Sequence, residues 1–282
     1  MKGNITFLFS ILSFIFLSCS SKSENIQKLT IDSKKQEKKL KNISVFDSNT
    51  KTIHVLVALC DNKYQGIVPV PPKIGNGQNP DLNLYWGAGY GIRTFFKKSK
   101  EWVLLKSKKI DSIKMERLIF QHTKNKEYYL VADAYNGKYI KDCTKDFLYS
   151  SAGNLNDTLT INNSTIGIYG NSSLISYIGH DGLMDFQLSD SFKNNDEKTR
   201  DIIVLACFSK KYFSPYLKNS KINPILWTSH LMAPEAYTLH DALTGYINQE
   251  SNEKIRMRAV LAYSKYQKCS EKAARNLLVS GW

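Results

Sequence analysis

Five short apolar runs, each stopped by polar residues and followed by enough chain for a helix, constrain this sequence more than any other feature. Residues 52–59, Thr-Ile-His-Val-Leu-Val-Ala-Leu, stop at Cys60-Asp61-Asn62, and Tyr128 to Ala132 stops at Asp133. Leu174 to Ile178 stops at Gly179-His180-Asp181-Gly182, Ile202 to Ala206 at Cys207-Phe208-Ser209, and Pro224 to Thr228 at Ser229-His230. Runs without polar alternation suit strands buried on both faces. Between them the period changes. Ile140, Cys143, Phe147 and Leu148 recur at helical spacing before Ser151-Ala152-Gly153, and Pro234 opens a segment with Ala236, Leu239, Ala242, Leu243 and Ile247 on one side. Strand alternating with helix predicts an α/β fold: a mostly parallel central sheet with helices on both faces. Such sheets gather ligands and catalytic groups at the carboxyl ends of their strands, which on this reading carry Asp61, Asp133, His180, Cys207 and His230.

Other segments read more simply. Val68-Pro69-Val70-Pro71-Pro72 and Gly75-Asn76-Gly77 exclude helix, after which Asp81 or Asn83 is expected to cap a helical stretch through Lys98. Gly87, Gly89 and Gly91 lack the G-x-G-x-x-G step of a phosphate loop and read as close-packing positions on that helix. Ile255 to Leu278 has a helical pattern broken near Cys269-Ser270. Residues 51–282 together suit a single α/β domain.

The N-terminus reads as an export signal. Met1-Lys2 precedes an apolar run from Ile5 to Leu17 that is too short to span a bilayer. Its end, Phe16-Leu17-Ser18-Cys19, resembles the bacterial lipobox, with Phe16 where Leu is usual. The resemblance implies a signal peptide over 1–18, a lipid on Cys19, and a membrane-anchored protein of the cell envelope. Residues 19–50 follow as lipidated Cys and tether, because Ser, Lys, Asn and Gln without apolar period cannot offset chain entropy.

Net charge is +14, yet only six of the thirty-nine basic residues are Arg, and they are scattered. Lacking a basic stripe interleaved with aromatics, the sequence does not read as a nucleic-acid binder. Besides Cys19 there are Cys60, Cys143, Cys207 and Cys269, without the paired short spacing of a metal site. Cys143 belongs to an apolar helix face. His180, Asp181, Asp185 and His230 are ligand types that suit a divalent ion, but their spacing matches no metal motif, so a metal site is the minor alternative and no cofactor is expected. His54 reads as a core or sheet histidine, His122 as a surface residue, and His240 as a helix residue without an evident partner.

His180 and Cys207 stand apart, since each ends an apolar strand and the 27 residues between them allow one crossover between neighbouring parallel strands. A strand ending in His near Gly, followed by one ending in Ala-Cys-x-Ser, resembles the caspase-like cysteine peptidases, which include caspases, legumains, clostripain, gingipains and the CHAT domains. The resemblance covers roughly residues 52–248. It implies a caspase-like three-layer sandwich and a peptidase using Cys207 as nucleophile and His180 as base, acting on a peptide or protein substrate. The family usually has Gly directly after the His; here Asp181 intervenes before Gly182, and an oxyanion would be held by the N–H of Cys207 with one from the Asp181-Gly182 turn. By position the substrate pocket would draw on Asp61 with Asn62, Leu205, and Ser229 with His230. Asp61 would then favour Lys or Arg before the scissile bond, unless it only caps the turn after its strand. The alternative to an enzyme is a non-catalytic binding lipoprotein on the same fold.

Overall fold

The computed structural model describes residues 46–282. In chain order the elements are β1 (Lys51–Ala58), α1 (Ile92–Lys98), β2 (Trp102–Lys109), β3 (Lys114–His122), β4 (Tyr128–Tyr135), α2 (Ile140–Ser151), β5 (Asn156–Ile161), β6 (Ser164–Tyr169), β7 (Leu174–Gly179), β8 (Arg200–Leu205), α3 (Ser209–Leu217), β9 (Ile222–Thr228), α4 (Ala236–Ile247), α5 (Asn252–Gln267), α6 (Glu271–Leu277) and β10 (Leu278–Val279). The main sheet runs β10-β9-β8-β7-β1-β4-β3-β2, and β5 pairs with β6 in a separate hairpin. From β9 across to β4 every pairing is parallel; β3, β2 and β10 add antiparallel edges.

Two apolar cores explain why the central runs lack polar alternation. Ile53, Val55 and Val57 of β1 pack toward α1, α4, α5 and α6, whereas Leu56 and Ala58 pack toward α2, α3 and the β5–β6 hairpin. Each large aliphatic side chain buried this way contributes about 1.5–3 kcal/mol relative to exposure. Helices therefore cover both faces of a mostly parallel sheet, as the alternation required. Cys143 is buried within the second core.

Asp133 is not at a strand end. It lies inside β4, opposite Leu56 and Arg117, because β4 continues to Tyr135. Arg117 Nε and Nη2 each donate to its carboxylate at 2.6 Å, and His54 Nε2 lies 3.0 Å from the same group. Tyr169 N–H donates to His54 Nδ1 at 2.9 Å, so His54 is neutral and gives its Nε2 proton to Asp133. Burial would push the Asp133 carboxyl up, but the hydrogen bonds from Arg117 and His54 outweigh it and hold Asp133 well below the usual carboxylate range. His54 is the satisfied sheet histidine that the sequence suggests.

Several other expectations change. The segment before α1 is not helical: a Cβ on Gly87 would lie 2.0 Å from the Asp81 carbonyl oxygen and one on Gly91 2.4 Å from the Trp86 backbone, so these glycines pack against turns and the helix begins at Ile92. His122 is buried rather than on the surface, with its ring edge-on to Trp102 and its Nδ1 accepting from Asn125 N–H. His240 does have partners, Ser99 Oγ at 2.8 Å and Asp241 at 2.9 Å. Within the expected tether, residues 46–50 form a turn whose Asp47 N–H donates to the Thr165 carbonyl. The signal segment, Cys19 and the tether through residue 45 lie outside the described residues. Among the described residues no helix is long and apolar enough to cross a membrane.

Candidate active site

Register brings His180 and Cys207 together. β7 and β8 are adjacent and parallel, and their last paired residues are Ile178 and Leu205. His180 and Cys207 each stand two residues beyond that pair, at equivalent positions on strands about 4.8 Å apart. Both line one cavity of about 280 Å³.

The turn carrying Cys207 is tight and braced. Phe208 adopts a left-handed conformation (φ 48°, ψ 30°), which costs a non-glycine residue on the order of 1–3 kcal/mol. It is held there by its N–H donating to the His230 carbonyl at 2.9 Å and its carbonyl accepting from Lys211. Ser209, the last residue of the Ala-Cys-x-Ser pattern, donates its hydroxyl to the Val204 carbonyl and accepts from Thr228 N–H, joining the ends of β8 and β9. The hydroxyl two residues past the cysteine is thus a structural brace. Cys207 is half-buried; its thiol reaches the Met232 carbonyl at 3.6 Å and accepts from Met232 N–H at 3.3 Å. Burial pushes this thiol up, the Met232 N–H opposes the shift, and the nearby Asp181 adds to it. In the resting protein Cys207 is a thiol.

His180 is set by its own strand end. Gly179 has φ 142°, and a Cβ there would sit 2.5 Å from the Ala58 carbonyl oxygen, so the chain turns out of the sheet at a position that needs glycine. Tyr177 Oη then donates to the His180 carbonyl at 2.8 Å. A single turn of 3-10 helix, Gly182–Met184, swings Asp185 back so that its Oδ2 lies 2.7 Å from His180 Nε2 and 3.0 Å from Gly66 N–H. In the tautomer that donates to Asp185 the ring proton sits on Nε2, which leaves Nδ1 as the free nitrogen. Asp185 is the member of this constellation whose role sequence reasoning did not assign. The Asp181-Gly182 turn signal directly after the histidine was the available clue to it.

Asp181 is fully buried. Its Oδ1 accepts from Leu183 N–H at 3.0 Å, while its Oδ2 has no hydrogen-bond partner. Burial pushes its carboxyl up to about 8, against the opposing Leu183 N–H. Protonated in the fold but ionised in the unfolded chain, Asp181 makes stability fall as pH rises from about 4 toward 8. Asp181→Asn, neutral at every pH, is expected to raise the melting temperature at pH 8 by several degrees and to change it little at pH 4. Equal shifts at both values in paired thermal melts would contradict this ionisation.

The other site residues named from the sequence are placed as follows. Asp61 is buried, its Oδ1 accepting from the N–H groups of Lys63 and Tyr64 and its Oδ2 from Gln78 Nε2. It caps the turn after β1. Asn62 clamps both backbone groups of Val70, at 2.7 and 3.0 Å. Leu205 is buried in the first core, and the Ser229 hydroxyl donates to the Asn276 carbonyl in α6. His230 is exposed beside the Phe208 ring. Beyond His180 and Cys207, the cavity walls come from Gly66, Ile67 and Val68 after β1, from Tyr85, Gly179 and Met184, and from Leu231, Met232 and Pro234 after β9. The loops after β1 and β9 contribute, but through residues a few positions further along. Among the described residues no group of three or more His, Cys, Asp or Glu is arranged to hold a metal.

A scan against protein-family models, a search of curated proteins and a search of solved structures each find no match.

Proposed function

We propose that this chain is a cysteine hydrolase on a caspase-like fold, a peptidase whose nucleophile is Cys207 and whose acid–base residue is His180. The observation that carries the reading is their shared position: two residues past the last paired residues of neighbouring parallel strands, on one cavity. Asp185 on His180 Nε2 supports it, because a base oriented by a carboxylate is the recurrent logic of nucleophilic catalysis.

In this mechanism His180 Nδ1 takes the thiol proton as Sγ attacks the scissile carbonyl, since a thiol pushed up by burial is not ionised beforehand. The oxyanion would lie toward the backbone N–H of Cys207 and that of the Asp181-Gly182 turn. The C–N bond then breaks as His180 returns the proton to the leaving amine, giving a thioester on Cys207. Water, deprotonated by His180, hydrolyses that thioester and restores the thiol.

A non-catalytic binding lipoprotein is the second reading, and the favouring observation is that the Cys207 thiol is engaged by Met232. An electrophilic peptide probe at neutral pH separates the two. An enzyme is modified at Cys207 far faster by the probe than by a small alkylating agent, whereas a binding scaffold shows no such preference.

The same proposal places the protein in the cell envelope, held by lipid on Cys19. Cys19→Ser is expected to abolish palmitate incorporation and lipoprotein-type processing, because the thioether needs that sulfur. Undiminished labelling of the variant would remove the anchor.

A further inference from the structure

Resting on the hydrolase reading, we propose that the cleft selects a peptide bearing an apolar side chain, of leucine, methionine or phenylalanine size, immediately before the scissile bond.

The walls available to that side chain are Ile67, Val68, Met184, Leu231, Met232 and Pro234. Three of them are left in solvent around the mouth: Val68 is 88% exposed, Leu231 67% and Met184 39%. A cluster of exposed apolar side chains beside a cavity is the usual mark of a surface that is covered when a ligand binds. Size agrees with the chemistry. The cavity holds about 280 Å³, whereas an apolar cavity of about 150 Å³ already admits benzene, so an aliphatic or aromatic side chain fits with room for adjoining backbone.

Charge selection has nothing to work with here. Among the described residues no Lys, Arg, Asp or Glu lines the cavity. Of the nearby acidic groups, Asp185 is committed to His180 and Gly66, Asp61 to its own turn and Gln78, and Asp181 is fully buried and held protonated. A charged substrate side chain would lose hydration without gaining a partner, and an isolated charge moved into apolar surroundings is strongly disfavoured. Selection therefore runs on transfer of apolar surface out of water and on exclusion of charge.

The test uses the full chain with fluorogenic peptides that differ in that one residue: leucine, methionine, phenylalanine, alanine, aspartate, lysine and arginine. The expected result is kcat/KM at least tenfold higher for the first three than for alanine or any charged residue. Leu231→Asp and Met184→Asp provide a second measurement, since both side chains already reach solvent and the substitutions leave the core intact. Each is expected to lower the leucine-to-lysine ratio at least tenfold. Cleavage that favours charged side chains, or treats all seven alike, overturns the specificity and leaves the hydrolase reading standing. If no peptide is cleaved and no electrophilic probe modifies Cys207, both fall together. Ratios that move less than twofold in both variants would reject these walls as the selecting surface.

Discussion

Cys207→Ala is expected to lower peptide hydrolysis by roughly 10⁶-fold, His180→Ala by nearly as much, and the double variant by little more than the larger single loss, because in the proposed mechanism nucleophile and base act as a unit. The argument is geometric. Each residue stands two positions past the last pair of the same two parallel strands, and both line one cavity. Asp185→Asn should cost a smaller factor. It leaves His180 in the cleft but removes the carboxylate that fixes which ring nitrogen is basic, and it weakens the anchor on the Gly66 loop. Hydrolysis surviving Cys207→Ala in the purified protein would exclude the mechanism. Losses that add in the double variant would mean that the two residues act independently.

The largest expected effect on stability is at the buried charge network beneath the sheet surface. Asp133→Ala leaves the Arg117 guanidinium, whose side chain is largely shielded from water, without its bidentate partner, and removes the acceptor of the His54 proton. Breaking one half of such a pair costs about 3–5 kcal/mol, because an uncompensated charge stays buried. The measurement is the denaturant midpoint at constant slope. Asp133→Leu combined with Arg117→Met should lose less than Asp133→Ala, since removing both charges leaves neither stranded. pH supplies an independent check. Because the folded state holds Asp133 below its ordinary range, the stabilisation is present above about pH 4, the unfolded value, and is lost as pH falls below it. Wild type should therefore lose stability on acidification more steeply than the double variant. A single-variant loss below about 1 kcal/mol would show that water reaches Arg117 and that the pair is not a buried one.

The interior of the protein was legible in the order of its residues. Short continuous apolar runs closed by polar turn residues suit strands covered on both faces, which marked β1, β4, β7, β8 and β9. The helical recurrences at 140–148 and 236–247, and the break near Cys269, marked α2, α4, and α5 with α6. The positions of His180 and Cys207 just past strand ends were legible for the same reason, since the apolar runs before them close at polar residues. The periphery was less legible. β2, largely exposed and lysine-rich, and the half-exposed β5 bury too little to leave an apolar signature, and β10 has two residues and exists because β9 offers it an edge. Which side chains meet was decided by tertiary structure. Asp133 reads as a strand terminus until register sets it opposite Arg117. Asp61 reads as either a pocket carboxylate or a turn cap until Oδ1 is found accepting from Lys63 and Tyr64 and Oδ2 from Gln78. Asp185 meets His180 only because a turn of 3-10 helix returns it there, and the apolar walls arise where the loops after β1 and β9 converge. Periodicity reports how much of a residue is buried, because burial is a property of each side chain along its own element; partnership depends on distances between elements, which are fixed when the sheet and its two cores close.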